Sequence, residues 1–238
     1  MRKAMSDYRD CHVVVTGGTG ALGLATVSAL LQAGAICHVP YRSESETGRF
    51  DGADKARLKL VAAGDLADEA TVARLYDGVP SLWASIHIAG GFAFAPIASS
   101  PKALLMEQLN MNFISCYLCC RAAVGKMAAG KQGGRIVNIA ARAAQEWRTG
   151  AKMTAYTASK AAVAALSAAL AEEVAGEGIL VNAVAPSIMD TPANRKDMPK
   201  ADFAKWPKVE EVAATILFLA SPENKVSRGG FVPVYGAS

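Results

Sequence analysis

Short apolar runs without polar alternation recur along the chain, separated by longer stretches whose apolar residues fall at helical spacing. "HVVVT" (12–16), "AICHV" (35–39), "LKLVAA" (58–63), "LWASIHIA" (82–89), "RIVNIA" (135–140), "LVNAVA" (180–185) and "FVPVY" (231–235) have the length and content of strands. Helices are expected from about Ala21 to Ala33 and near 68–77, 102–129, 155–175 and 208–220. Strands apolar on both sides must be covered on both sides, and the β–α rhythm implies parallel pairing through right-handed crossovers. The pattern therefore reads as one doubly wound α/β domain over residues 1–238, with about seven parallel strands and helices on both faces. No repeat, low-complexity tract or linker divides it. "SESETGRFDG" (43–52) and "TPANRKDMPKADFAKW" (191–206) are its two long polar loops.

A chain of 238 residues that is 52% hydrophobic can bury a substantial core without covalent staples. The formal charge of +4 is scattered, with no block of like charges, so a nucleic-acid partner is not expected. Cys116, Cys119 and Cys120 lie in an apolar helical run, Cys37 in a strand-like one, and Cys11 just before the first strand. They lack paired spacing with histidines, so they read as buried free thiols in a reducing compartment, and no metal site is expected. The opening "MRKAMSDYRD" has no apolar core of a leader, and no apolar run reaches membrane-spanning length. A cytoplasmic protein without membrane contact is the expectation.

Candidate chemistry begins at "VVVTGGTGALG", where Gly17, Gly18, Gly20 and Gly23 follow the first strand and open a helix. A pyrophosphate needs backbone N–H groups and the positive end of a helix dipole, with no Cβ in the way. Gly17, Thr19, Gly20, Ala21, Leu22 and Gly23 are the residues expected there. At the end of the second strand a carboxylate would hold a ribose 2′-OH, whereas an arginine would accept a 2′-phosphate. "HVPYRSES" offers Arg42 and no acid before Glu44, which favours NADP(H) over NAD(H) while leaving NAD(H) possible. Arg42 has an alternative reading as a solvated loop residue. Asp65, followed by Leu66 in "AAGDLAD", is placed to meet an adenine edge, or to cap the helix that follows, or both.

Tyr156 and Lys160 stand four apart on an expected helix, so both project from one face. A free phenol titrates near 10; a neighbouring ammonium that lowered it by about 2–3 units would contribute roughly 3–4 kcal/mol toward a neutral-pH proton relay. Together, "TGGTGALG", "DL", "AGG", Asn112, "YTASK" and "APSIMDTP" resemble the short-chain dehydrogenase/reductase family over nearly the whole chain. The resemblance implies a single-domain Rossmann-type fold, a nicotinamide cofactor, and hydride transfer with Tyr156 as proton donor or acceptor. It implies that Lys160 holds the nicotinamide ribose and lowers the tyrosine pKa, and that Asn112 anchors a relay water. Ala89 and Gly90 match its post-strand cofactor contact; Pro186, Ser187, Met189 and Thr191 match the segment that brackets the nicotinamide. It also implies a small-molecule substrate and a homodimer or homotetramer. The alanine-rich helix 155–175 suits close packing against a copy of itself, and the tail "GGFVPVYGAS" a tetramer contact.

Three departures stand out. His87–Ile88 replaces the family's usual Asn-Asn, Ser187 its usual glycine, and Ala141 the family's catalytic serine. Alanine cannot donate to a substrate carbonyl oxygen, and losing such a donor costs on the order of 3–4 kcal/mol of transition-state stabilisation. Thr149 or Thr154 is a candidate replacement. An imine-like substrate needs less oxyanion help, and the stretch "DTPANRKDMPKADFAKW" (190–206) is similar to that of the family's dihydropteridine-reductase branch, which also lacks the serine. On that reading Phe92 and Trp147 stack on a flat ring, and Arg142, Arg148, Arg195 or Lys196 meets an anionic group; packing and solvated rim charge are the alternatives. The competing reading from another class is a catalytically silent NADP(H)-binding sensor.

Overall fold

The computed structural model describes residues 7–50 and 53–238. Its elements run β1 His12–Thr16, α1 Ala21–Gln32, β2 Ile36–Tyr41, β3 Leu58–Ala62, α2 Glu69–Asp77, β4 Leu82–His87, α3 Lys102–Leu109, α4 Ser115–Gly130, β5 Gly134–Ile139, α5 Thr154–Glu173, β6 Ile179–Pro186, α6 Pro192–Asp197, α7 Val209–Ala220 and β7 Phe231–Val234. The seven strands form one parallel sheet in the order β3-β2-β1-β4-β5-β6-β7. This is the doubly wound Rossmann-type topology expected from the apolar runs. The order reverses between β1 and β4, which opens a crevice beyond their C-terminal ends, where such sheets bind ligands.

Strand alternation supplies two cores. Val13 and Val15 pack with Val27, Leu30, Val39, Ile86, Val137 and Ile216 on one face. Val14 packs with Val72, Leu75, Ile136, Val163, Val181 and the thiols of Cys116, Cys119 and Cys120 on the other. Successive residues of one strand thus serve opposite layers. Pro40 lies inside β2, where a missing N–H would normally break a ladder. It is tolerated because the β1–β2 register ends at Val14↔His38, two residues earlier.

The structure differs from the sequence pattern in three places. The run 82–89 ends as a strand at His87. Residues Pro192–Asp197, expected as loop, form a short helix with Pro at its start and Thr191 as its cap. The long helix expected over 102–129 is interrupted by a π-turn at Asn110–Ile114, which separates α3 from α4. Hydrophobic periodicity is blind to that turn, because the wider turn neither ends the helix nor interrupts its buried stripe. Among the described residues, no helix is long and apolar enough to cross a membrane, and all five cysteines are free.

Candidate active site

The glycine turn is shaped by two close approaches. Gly17 sits at φ +67, and a Cβ there would lie 2.5 Å from the backbone nitrogen of Ala89. A Cβ on Gly23 would lie 2.1 Å from Gly17 O, so α1 can press against the turn only without a side chain. Gly20, by contrast, faces open space: a Cβ would meet nothing nearer than Gly17 O at 3.4 Å. It caps α1 without a side-chain hydrogen bond, and the first turn holds no acidic residue. The first-turn N–H groups of Ala21, Leu22 and Gly23 therefore point into a bare cradle with the positive end of a 12-residue helix behind it. These residues fit a dinucleotide pyrophosphate.

The cradle is tethered to the loop after β2 in a way the sequence pattern did not reveal. Thr19 Oγ1 donates to Glu46 Oε2 at 2.8 Å, and Arg49 donates to Thr19 O at 2.8 Å. Both partners come from a 3₁₀ turn, Glu44–Phe50, that reads in sequence only as a polar loop. Arg42 is exposed beside it and forms no ion pair among the described residues, which leaves its guanidinium available to an anion. Tyr41 donates to Glu44 Oε1 at 2.8 Å. Asp65 does not cap α2; that part of its expected role is corrected. Asp68 is the cap, accepting from Ala70 N and Thr71 N, while Asp65 accepts from Ala67 N and is otherwise exposed, with Leu66 half-buried beside it.

Beyond β4 the chain turns through Ala89, Gly90 and Gly91 into the crevice. Ile88 N donates to Thr16 O and Ala89 N to Thr16 Oγ1, fastening this turn to the end of β1. A Cβ on Gly90 would lie 2.5 Å from Asn112 Oδ1 and 3.4 Å from Lys160 Nζ, so Gly90 sits between these two groups. Asn112 projects from the π-turn and is buried. Gly91 N donates to its Oδ1 at 3.0 Å; its Nδ2 lies 3.0 Å from Gly91 O, 3.1 Å from Ser159 Oγ and 3.3 Å from Gln108 Oε1. Two protons serve those three acceptors. The side chain expected to anchor a relay water is thus committed to protein partners, and it joins the loop after β4 to α5.

Tyr156 and Lys160 both project from α5 as the spacing requires. Lys160 is buried and donates to Ile139 O, at the end of β5, at 2.8 Å. Burial pushes the ammonium down to about 8. Tyr156 is half-buried against the edge of Phe92, with ring centroids 5.0 Å apart. Burial pushes its phenol up to about 12. The spacing alone led to the expectation of a lowered phenol; burial instead favours the neutral form of both groups.

Ala141 follows β5 in extended backbone and is buried among Ala140, Ala143 and Ala144, so no hydroxyl stands there. Thr149 does not replace it, since its hydroxyl donates to Glu146 O at 2.8 Å. Thr154 is exposed at the start of α5. Pro186 ends β6, and Ser187 leads on to a half-buried Met189 and to Thr191, whose hydroxyl caps α6 by accepting from Asn194 N. Ser187 Oγ donates to Tyr235 O at 2.9 Å, so the residue that replaces glycine ties the segment to the chain beyond β7. Arg195 is bound to Asp190 through two contacts of 2.6 and 2.8 Å, and Arg142 to Glu146 at 2.7 Å. Their expected availability to a substrate anion is corrected accordingly; Arg148 and Lys196 remain exposed. Phe92, Phe94, Trp147 and Ile188 are 61%, 62%, 71% and 43% exposed, far above what large apolar side chains show in a core. The loop carrying Phe92 and Phe94 reaches the Trp147 segment through Ala95 N→Lys152 O at 2.8 Å. Of these four, Phe92 is the one whose ring meets Tyr156.

A family model described as short chain dehydrogenase matches residues 11–202. Galactitol 2-dehydrogenase of Rhizobium johnstonii is 34% identical over 239 residues, covering 94% of this chain and 93% of the relative. The 2,3-dihydroxy-2,3-dihydro-p-cumate dehydrogenase of Pseudomonas putida is 30% identical, covering 94% and 93%. Among solved structures, ElxO with NADP bound matches with a TM-score of 0.86 at 22% identity, covering 95% of this chain and 98% of that one. None of these three is a dihydropteridine reductase.

Proposed function

The chain belongs to the short-chain dehydrogenase family and is an oxidoreductase of that NAD(P)-dependent group; on that premise we propose that it prefers NADP(H) and that Tyr156 moves the proton to or from its substrate. The hydride itself comes from, or returns to, the nicotinamide. The N-terminal donors of Ala21, Leu22 and Gly23 would hold the pyrophosphate, Arg42 the 2′-phosphate, and Asp65 the adenine edge. Lys160, held at Ile139 O, would meet the nicotinamide ribose, with Met189 and Thr191 flanking the ring. The NADP bound in ElxO supports this cofactor, as does the absence of an acid at the end of β2. The observation that carries the reading is the meeting of Gly90, Asn112 and Lys160, with Tyr156 on the same helix, at the crevice where the strand order reverses.

A phenol at about 12 donates a proton readily to an alkoxide, whereas ionising it at pH 7 costs about 7 kcal/mol. At neutral pH Tyr156 is therefore protonated and placed to act as proton donor. The exposed Phe92 ring standing against Tyr156 suits a substrate with a flat or alicyclic ring better than an open-chain polyol. Between the two relatives, the dihydrodiol named for the Pseudomonas enzyme is closer in character to this aromatic neighbour than galactitol. The empty hydroxyl position at Ala141 favours a C=O or C=N group already activated toward hydride, and a quinonoid dihydropterin is the flat-ring member of the imine-like class. Exposed Ala158, Ala165 and Ala168 along α5 suit packing against a second copy, giving a homodimer or homotetramer that light scattering would size.

The test pairs NADH and NADPH titrations with wild type and Arg42→Ala, followed by turnover on cyclic diketones, a quinonoid dihydropterin and a cyclic dihydrodiol. NADPH is expected to bind more tightly and to lose most of that advantage in Arg42→Ala. Turnover is expected to vanish in Tyr156→Phe. Equal affinities in the wild type refute the cofactor assignment, and NADPH binding without turnover of any class favours the sensor.

A further inference from the structure

Beneath the cleft lies a buried group of side chains that proton transfer does not use. Cys116 and Cys120 follow Asn112 by one and two helical turns, so a single helix face presents the asparagine to the cleft and both thiols to the sheet. There they meet His87, the last residue of β4, and Asn138, its register partner on β5. His87 Nδ1 lies 2.7 Å from Asn138 Oδ1, 3.5 Å from Cys120 Sγ and 4.0 Å from Cys116 Sγ. Cys120 Sγ lies 3.4 Å from Asn138 Oδ1. The histidine nitrogen and the two sulfurs all lie within 4.8 Å of one another, and the four residues are at most 4% exposed.

We propose that His87 Nδ1, Cys116 Sγ and Cys120 Sγ, with Asn138 Oδ1 as fourth donor, form a structural site for one divalent ion of the zinc type. Three arguments support the assignment. The first is size: tetrahedral zinc–sulfur and zinc–nitrogen bonds place sulfur about 3.8 Å from sulfur and about 3.6 Å from nitrogen. The observed separations reach those values by side-chain shifts of roughly an ångström or less. The second is charge. A dication, two thiolates, a neutral imidazole and an amide sum to zero, the condition a dry interior imposes. Binding forms two metal–sulfur bonds and releases the two thiol protons to solvent, with no change of oxidation state.

The third argument is support around the ligands. His87 Nε2 lies 2.8 Å from Ser85 Oγ and 3.2 Å from Tyr76 OH, so once Nδ1 binds metal the Nε2–H has an acceptor in place. Asn138 Nδ2 donates to Ser167 Oγ at 2.9 Å, which keeps Oδ1 turned toward the thiols. With four protein donors the site is closed, as structural zinc sites are, and it would pin β4, β5 and α4 together under Asn112. Sequence spacing did not suggest it, because the histidine and the cysteines come from separate elements. His87 stands where the family usually has asparagine, so the imidazole is a feature of this chain. The inference rests on these side chains and is independent of the substrate reading.

The test is to express the protein in zinc-supplemented medium, desalt it and count the metal, then to replace zinc by Co²⁺. One zinc per chain is expected, with thiolate-to-cobalt charge-transfer bands and tetrahedral d–d absorption in the cobalt form. His87→Asn, which installs the family's usual residue, and the Cys116→Ser/Cys120→Ser double variant should each weaken binding. The loss should exceed the roughly tenfold that removing even a hydrogen-bond partner of a ligand costs. Cys11→Ser should leave binding unchanged. Far-UV circular dichroism of His87→Asn confirms that the fold survives, so its metal count decides even if the double variant does not fold. Wild type that retains no zinc overturns the proposal, as does a charge-transfer spectrum that persists in His87→Asn with unchanged affinity.

Discussion

Restoring a hydroxyl at Ala141 is the sharpest perturbation of the proposed chemistry. The position lies in extended backbone (φ −159, ψ 163) two residues after β5, a conformation serine adopts as readily as alanine. It is 6% exposed, so a hydroxyl that finds no partner there costs about 1–3 kcal/mol of stability. That is a fraction of the roughly 5–15 kcal/mol typical of a folded domain, and Ala141→Ser should therefore fold. A hydroxyl that reaches the reacting oxygen contributes about 3–4 kcal/mol to the transition state, or on the order of 10²–10³ in kcat. Steady-state turnover with NADPH, on a cyclic ketone and on an imine-like substrate side by side, reads the difference. The ketone rate should rise by that factor while the imine rate stays within a few-fold. A folded, NADPH-binding variant whose ketone rate does not move would show that the missing donor at this position does not limit carbonyl reduction. The argument from Ala141 to an activated substrate would then fail.

Other consequences are independent of substrate. Lys160 titrates at about 8 in the fold against 10.5 when free; the unfolded chain then binds more protons across that interval, so the contribution of Lys160 to stability should rise with pH from about 8 to 10 by as much as about 3 kcal/mol, while the buried thiols of Cys37 and Cys119, pushed up by burial, act in the opposite sense above about pH 9. Tyr156, raised to about 12, works in the opposite sense only above pH 10. The difference in urea-derived stability between wild type and Lys160→Met, measured from about pH 7 to 10, should shift in favour of wild type by the amount given for Lys160. Asp68→Ala removes the cap of α2 and should cost about 1 kcal/mol, or roughly 2–4 °C in Tm, whereas Asp65→Ala should leave Tm unchanged and weaken cofactor binding. Gly23→Ala places a Cβ 2.1 Å from Gly17 O; a loss of at least about 1–3 kcal/mol in thermal unfolding and of NADPH binding by fluorescence titration is expected.

What the sequence disclosed and what it concealed divide along a physical line. Properties carried by one segment were legible. The alternate burial of Val13, Val14 and Val15 gave the two-layered sheet, the glycines after β1 gave the helix-capping cradle, and the four-residue step from Tyr156 to Lys160 gave their common face. Properties that depend on how segments meet were not. The tether of Thr19 by Glu46 and Arg49 joins residues 27 and 30 positions apart, with no periodicity to announce it. The π-turn at Asn112 leaves the apolar stripe continuous and betrays itself only through the loop that Asn112 grips.

The same division explains why the Tyr/Lys pair behaves differently in the fold than on a helical wheel. Helical spacing specifies proximity, and proximity alone makes an ammonium lower a phenol's pKa. Burial is set by other parts of the chain: Phe92 from the loop after β4 covers the phenol, and the end of β5 receives the ammonium at Ile139 O. Each of these contacts removes water from a group that needs water to stay charged, and desolvation pushes both groups toward their neutral forms. An acidic Tyr156 therefore requires a further positive charge or hydrogen-bond donor inside the cleft. The pH dependence of Tyr156 ionisation, followed by ultraviolet difference absorption with and without NADP⁺ against Tyr156→Phe as the blank, should show the phenol titrating lower in the complex. A phenol that titrates equally high in both states would refute the idea that the loaded cleft supplies the charge that makes Tyr156 acidic.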